Sequence, residues 1–414
     1  MEAQPQKHTV PTVSRICGDT VVELVYDAKV RTTALVVASE GRWRKAQEFA
    51  IATGETLVPY SAANNLIRHE CVMLPSEPVD GGSKAELLRD IEAYLHRYVD
   101  LSPLFKRIAA HYVLLTWVFD AFNELPYLRL QGDYGTGKTR ALITLGSIAY
   151  KGFFASGAST VSPIFHTLDT FGGTLVLDEA DLRFSDKTAD LVKILNNGTV
   201  KGLPILRTLQ NRHKEFNPAA FNIFGPKIVA MRGTFKDQAL ESRFLTEYMD
   251  GRPLRPDIPI QLPNSLKVEA HALRNRLLHF RLANRFTIAS DAARAITGID
   301  PRLNQTALSL LSLIDDPSLR EAFTANIRAR QTQLTAERSR GTDVRTLTAL
   351  KDLSEGSDRK SISLRELAER VNASGDVMDV SVSSRDVGQI LRAHSIPLHK
   401  SHGIIVVPIS GPTA

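Results

Sequence analysis

Eight consecutive residues, Gly132, Asp133, Tyr134, Gly135, Thr136, Gly137, Lys138 and Thr139, match the pattern GxxxxGK[ST]. Residue types at this spacing suit the binding of a nucleoside triphosphate. Glycines let the loop wrap the phosphates closely enough for backbone N–H groups to face oxygen, a path that a Cβ would block. A helix starting at Lys138 and running on through Arg140 adds the positive end of its dipole. Lys138 is placed to reach the β- and γ-phosphates, and the Thr139 hydroxyl to ligate Mg²⁺. The bland alternative is a glycine-rich turn that only joins a strand to a helix. It must explain a match that chance yields on the order of once in a hundred chains of this size.

Beyond the loop stands TLVLDEAD, an apolar run ending in Asp178 and Glu179. A strand of this kind is expected beside the phosphate loop, its C-terminal end delivering a carboxylate to the metal. Asp178 is the expected metal-side residue. Glu179 is placed to orient and deprotonate an attacking water, which makes hydrolysis of ATP the expected chemistry. The competing reading is a solvated acidic turn. The letters DEAD also occur in another helicase superfamily, but no second motor core follows here.

These residues need a frame. Across 126–250 apolar runs (YLRLQ, TLVLD, PKIVAM) alternate with helical ones, which predicts an α/β fold with a parallel sheet covered on both faces. Before it, 84–125 has helical spacing, with Leu87, Leu88, Ile91, Leu95 and Tyr98 three or four apart, then an apolar helix from Pro103 to Asn123. Residues 1–80 alternate β-branched runs such as VVELVYD and TALVVAS with polar turns. They read as a small mixed α+β domain closed by a linker, PSEPVDGGS, and no chemistry is assigned to it. Residues 262–335 are helical and rich in Leu, Ala and Arg, and TAERSRGTD then reads as a second linker. Residues 343–411 run helix, SIS strand, helix, helix and a strand pair around HKSHG, the order of a winged helix.

Composition narrows the class. Of 414 residues, 43% are apolar and 23% charged, which argues against wholesale disorder and against a membrane protein. The apolar stretch 108–122 contains His111 and Asp120 and is too short and too polar to span a bilayer. The start, MEAQPQKHTVPTV, lacks the charged then apolar blocks of a secretory signal, so a cytoplasmic location is expected, in a bacterium or encoded by a phage or plasmid. Cys17 and Cys71 stand far apart with no CxxC, which excludes a disulfide framework and a cysteine-based zinc finger. A net charge of +6 suits a polyanionic partner without requiring one.

On these motifs the chain resembles the AAA+ ATPases. Residues 126–250 are similar to the branch containing minichromosome-maintenance helicases, superfamily 3 viral helicases and the helicase-like replication proteins of phages and plasmids. The resemblance implies a helical lid over 262–335 and, in LPILRTLQNRHKEFNPAAFNIFG, a hairpin that projects into a central DNA channel. Arg212, His213 and Lys214 would form its basic tip, which suits phosphate tracking; an ordinary solvated loop is the competing reading. PKIVAM becomes the strand before sensor 1, where Arg232 is favoured because the usual Asn or Thr is replaced by Met231, Arg232, Gly233 and Thr234. ALESRFL resembles the SRF segment, which makes Arg243 an arginine finger for the neighbouring subunit's ATP; a surface ion pair is its alternative. Arg274 and Arg276 are the sensor 2 candidates. In the winged helix Arg385, Gln389 and Arg392 would face DNA, with Lys400 and His402 on the wing, although such domains also mediate protein contacts.

The resulting expectation is a homo-oligomeric, hexameric ring that hydrolyses ATP with Mg²⁺ and acts on DNA as the replicative helicase of a mobile element. Single-stranded DNA would lie in the channel and duplex at the winged helix. The alternative is an ATP-switched initiator, loader or regulator that binds DNA and never unwinds it. A protein-remodelling ATPase is a third class; the run Leu182, Arg183 and Phe184 lies near the place where its pore loop would be.

Overall fold

The computed structural model describes residues 8–178, 186–210, 216–235, 237–250, 255–340, 342–355, 361–373, 382–401 and 403–409. Two compact units divide the chain, one over residues 1–327 and the other over 328–414.

The first unit opens with seven strands: β1 (Thr9–Thr12), β2 (Ser14–Cys17), β3 (Thr20–Asp27), β4 (Thr32–Ser39), β5 (Arg42–Ala46), β6 (Phe49–Ala50) and β7 (Thr56–Pro59). Strands β2-β3-β4-β5 form an antiparallel sheet, and β1-β7-β6 a smaller one. A short helix α1 (Asn65–Arg68) follows. The PSEPVDGGS segment read as a linker is strapped down. Ser76 N–H donates to Asn275 Oδ1 at 2.9 Å, Val79 N–H to the Asn275 carbonyl at 3.1 Å, and Arg276 Nη2 to the Gly81 carbonyl at 2.8 Å.

Two helices precede the central sheet, α2 (Lys84–Tyr98) and α3 (Pro103–Trp117). Ser83 and Glu86 build a capping box at the start of α2, and Ser102 caps α3 ahead of Pro103, so local chemistry sets both starts. The sheet itself alternates strand and helix as expected: β8 (Tyr127–Gln131), α4 (Lys138–Gly146), β9 (Phe153–Ala155), α5 (Val161–Phe171), β10 (Leu175–Leu177) and α6 (Asp186–Asn197). Then come the hairpin β11 (Ile205–Gln210) and β12 (Phe216–Phe221), β13 (Lys227–Met231), α7 (Gln238–Glu241) and β14 (Phe244–Tyr248). Its five strands are all parallel in the order β14-β8-β13-β10-β9. Alternate side chains of each strand feed different cores. Leu128, Leu130, Ile228 and Ala230 pack with α2, α3 and α4; Tyr127, Val229, Met231 and Phe244 pack with α5 and α6.

Three long helices follow, α8 (Ser265–Asn284), α9 (Pro301–Leu311) and α10 (Pro317–Arg340), and the boundary between the units falls inside α10. A charged network without solvent contact ties α8 to the rest of the first unit. Glu23 on β3 accepts from Arg281 Nε at 2.7 Å, from Tyr150 Oη at 2.8 Å and pairs with Lys151 Nζ at 3.0 Å, all four side chains being buried. Arg281 also reaches Asp120 at 2.9 Å. Burial alone would raise the Glu23 and Asp120 carboxyls. The neighbouring Lys151 and Arg281 hold Glu23 low, and Arg281 with Arg285 brings Asp120 down to about 2.

The second unit has its own apolar core. It contains α11 (Thr342–Ser354), β15 (Ser361–Ser363), α12 (Leu364–Ala373), α13 (Ser384–Ala393), β16 (His399–Ser401) and β17 (Ile404–Pro408), with an antiparallel sheet ordered β15-β17-β16. A capping box between Ser383 and Asp386 starts α13.

Candidate nucleotide site

The GxxxxGKT residues form the turn between β8 and α4, at the C-terminal edge of the parallel sheet. Gly135 and Gly137 have φ of +77° and +90°, which side-chain-bearing residues rarely adopt. Gly132 is required by space: a Cβ there would stand 2.9 Å from Thr136 Oγ1 and 3.0 Å from Asp250 Oδ1. Within the loop, Thr136 Oγ1 donates to the Asp133 carbonyl at 2.9 Å, and Tyr134 N–H to Asp133 Oδ1 at 2.8 Å. Lys138 Nζ donates to the Asp133 carbonyl at 2.6 Å, so its ammonium lies back across the loop.

Asp178 follows β10, and its Oδ2 accepts from Thr139 Oγ1 at 2.8 Å. One hydroxyl and one carboxylate therefore converge beside the loop, the protein donor set that Mg²⁺ takes when phosphate and water supply the rest. This donor set fits the cation expected there. The sheet departs from the expectation of simple adjacency, because β13 is inserted between β8 and β10. Asp178 still reaches Thr139 because that residue lies on α4, which packs across β8, β13 and β10. Glu179 lies outside the described residues, as do Leu182, Arg183 and Phe184.

The inserted β13 brings Arg232 to the same edge, with its guanidinium 4.1 Å from the centroid of the exposed Tyr134 ring. Arg140 is engaged otherwise than with the loop. Its Nη1 donates to the Tyr98 carbonyl at 3.4 Å and its Nη2 to the Ile260 carbonyl, which ties the start of α4 to the end of α2. A residue that sequence reading missed is Asp250, just past β14, whose Oδ1 accepts the Asp133 N–H at 2.6 Å. No spacing rule links it to the loop; only the pairing of β14 with β8 does.

The sensor 2 candidates stand elsewhere. Arg274 is buried, with Nη1 donating to the Ser147 carbonyl at 2.6 Å and Nε to the Leu74 carbonyl at 3.2 Å, so it caps the far end of α4. Burial pulls its pKa down to about 10. Arg276 pairs with Asp90 at 2.6 Å. Both sit on α8, which packs on α2 and α3, so neither reaches the loop of its own chain.

Arg243 lies at the opposite, N-terminal edge of the sheet, since Phe244 is in register with Tyr127 while Tyr248 is in register with Gln131. It is half-buried and donates to the carbonyl and to Oδ1 of Asn196, the latter at 2.8 Å. The insert before β13 is a hairpin, β11 paired with β12 from Ile205↔Phe221 to Gln210↔Phe216. Arg212, His213 and Lys214 fall between these strands and lie outside the described residues. In the second unit, Arg385, Gln389 and Arg392 are exposed on α13 at helical spacing, opposite the buried Val387, Gly388 and Leu391; Lys400 is exposed on β16. His402 lies outside the described residues.

No helix among the described residues is long and apolar enough to cross a membrane. No family model matches the chain, and comparison with curated proteins gives no match. Among solved structures, the apo A form of the NrS-1 C-terminal region is similar at 11% identity over 94% of this chain and 97% of that one, with a TM-score of 0.36. The JCV helicase is similar at 16% identity over 66% of this chain and 65% of that one, with a TM-score of 0.25. Likeness at this level carries no argument about activity, and the function is argued from the site.

Proposed function

We propose that the chain is an Mg²⁺-dependent ATPase that assembles into a ring and moves on DNA, as the replicative helicase of a mobile element. The observation that carries this reading is the convergence of Lys138, Thr139 and Asp178 at one edge of the sheet, on a loop whose glycines leave its backbone N–H groups open to phosphate. Gly132 to Thr139 bind the phosphates, and Lys138 swings from the Asp133 carbonyl to the β- and γ-oxygens. Thr139 and Asp178 hold Mg²⁺, which neutralises charge on the phosphate oxygens when bound. Glu179 orients and deprotonates the attacking water, and Arg243 is offered to the neighbouring subunit from the far edge of the sheet.

The hairpin and its basic segment Arg212 to Lys214 carry single-stranded DNA, and the second unit acts as a winged helix whose Arg385, Arg392 and Lys400 contact duplex. The order of helices and strands in that unit, with its arginines on one exposed face of α13, supports the assignment. A second reading, an ATP-switched initiator or loader without unwinding, draws on the same unit.

The test is direct. Lys138→Ala is expected to abolish binding of a fluorescent ATP analogue in Mg²⁺, and Asp178→Asn and Glu179→Gln to abolish steady-state hydrolysis while the melting temperature stays near that of the parent. Normal turnover in these variants would overturn the site. A strand-displacement assay on a forked duplex separates motor from switch: absence of displacement by a protein that hydrolyses ATP on DNA favours the switch.

A further inference from the structure

One ion pair sits inside the sheet, away from solvent and from the phosphates. Arg129, the middle residue of β8, is fully buried, Glu241 at the end of α7 is 2% exposed, and Arg129 Nη1 donates to Glu241 Oε1 at 2.6 Å. Taking two charges out of water costs about as much as their attraction returns, so stability is a poor reason for such a pair and fixed position a better one. The same Glu241 Oε1 accepts the Phe235 N–H at 2.6 Å, which anchors the loop after β13. Arg129 Nε donates to Thr246 Oγ1 at 3.0 Å, and its guanidinium lies 5.2 Å from the centroid of Phe244, on which Phe235 stacks at 5.5 Å. Arg129 Nη2 has no hydrogen-bond partner, so Glu241 is the only carboxylate holding the fork.

Both ends of this cluster lead to places where ATP chemistry is proposed. Arg129 is three residues upstream of Gly132, and the loop anchored at Phe235 begins with Arg232, which packs on Tyr134 of the phosphate loop. In the other direction Glu241 stands two residues before Arg243. The start of α7 is held separately, by Asn196 Nδ2 donating to Asp237 Oδ2 at 2.7 Å, and the same Asn196 accepts from Arg243. Helix α7 is thus pinned at one end to α6 and at the other to the strand that carries the phosphate loop.

We infer that Arg129 and Glu241 are positioning residues that set Arg243 according to the state of the phosphate loop in the same chain. A filled loop in one subunit thereby governs the arginine offered to the next. The inference rests on the reading of Arg243 as a residue that acts on a neighbour. Neither Arg129 nor Glu241 touches nucleotide; each acts through α7.

The experiment uses full-length protein and mixed subunits. In Arg129→Met with Glu241→Gln the buried charges are gone, while Gln still accepts the Phe235 N–H. This double variant is expected to bind an ATP analogue within about twofold of the parent and to lose at least tenfold in turnover. Mixing it with excess Lys138→Ala should restore several-fold turnover, because those subunits bind no nucleotide yet present Arg243 correctly. Arg243→Ala mixed with Lys138→Ala is the reference, with the same rescue expected. Rescue of Arg243→Ala but not of the double variant overturns the inference and leaves the role of Arg243 intact. Parent-level turnover by Arg243→Ala alone removes both. Should the double variant not fold, Glu241→Gln alone carries the same mixing test, and a fall in nucleotide binding that mixing leaves unchanged counts against the proposal.

Discussion

Lys227 brings a charge into the N-terminal edge of the parallel sheet. Its Nζ donates to the carbonyls of Ile223 and Gly225 at 3.0 Å and of Gly198 at 3.4 Å, and lies 4.8 Å from the centroid of Tyr127. Burial pulls its pKa down to about 7. The unfolded chain keeps this proton up to the ordinary lysine value near 10.4, so between the two values the unfolded state binds more protons and stability rises with pH. Urea unfolding followed from pH 7 to 9 should show this rise in the parent and a flatter profile in Lys227→Met. Equal slopes would mean that Lys227 keeps an ordinary pKa. The same residue holds the base of the hairpin, since Ile223 and Gly225 lie between β12 and β13.

At the scale of elements, the hairpin β11–β12 has two unlike faces. On one, Phe221 is buried against Phe165, and Arg207 pairs with Asp190 at 3.0 Å and stacks 5.5 Å from the Phe165 ring. On the other, Leu206 and Phe216 are 68% and 70% exposed. A hairpin braced from one side can carry Arg212 to Lys214 without its strands unpairing. Under the proposed function, replacing Arg212 and Lys214 by Gln removes two phosphate contacts. Fluorescence anisotropy with single-stranded DNA across a salt series should then give a log–log slope shallower by about 1.4. An unchanged slope would place the DNA elsewhere.

At the scale of the first unit, the buried network of Glu23, Lys151, Arg281 and Asp120 joins β3, the segment after α4 and α8. Removing one partner strands the others without water, and Arg281→Met is expected to cost about 3–5 kcal/mol in chemical denaturation. A smaller loss would mean that solvent reaches the site. The network also has an acid limit. Asp120, held down to about 2, contributes stability that is complete above the ordinary aspartate value and is lost as pH falls toward 2, so acid unfolding of the parent should steepen in that window. It explains too why 1–80 does not stand apart: Glu23 is satisfied only by residues from Tyr150 onward together with neighbouring Ser14.

Sequence alone determined the features whose physics is local. Eight residues specify a phosphate loop because the glycines at 135 and 137 meet a backbone demand made within the turn itself, and caps at Ser83, Ser102 and Ser383 start helices by contacts within three residues. Alternating apolar runs likewise announced a parallel sheet. Only the tertiary structure decided which strands adjoin, and with that the insertion of β13 between the phosphate-loop strand and Asp178, the arrival of Asp250 at Asp133, and the burial of Arg129 against Glu241. It also sent Arg274 to the wrong end of α4 for a phosphate contact. The reason is the same in each case: parallel strands and buried ion pairs join residues far apart in the chain, and their spacing along it carries no mark of which partner each will meet.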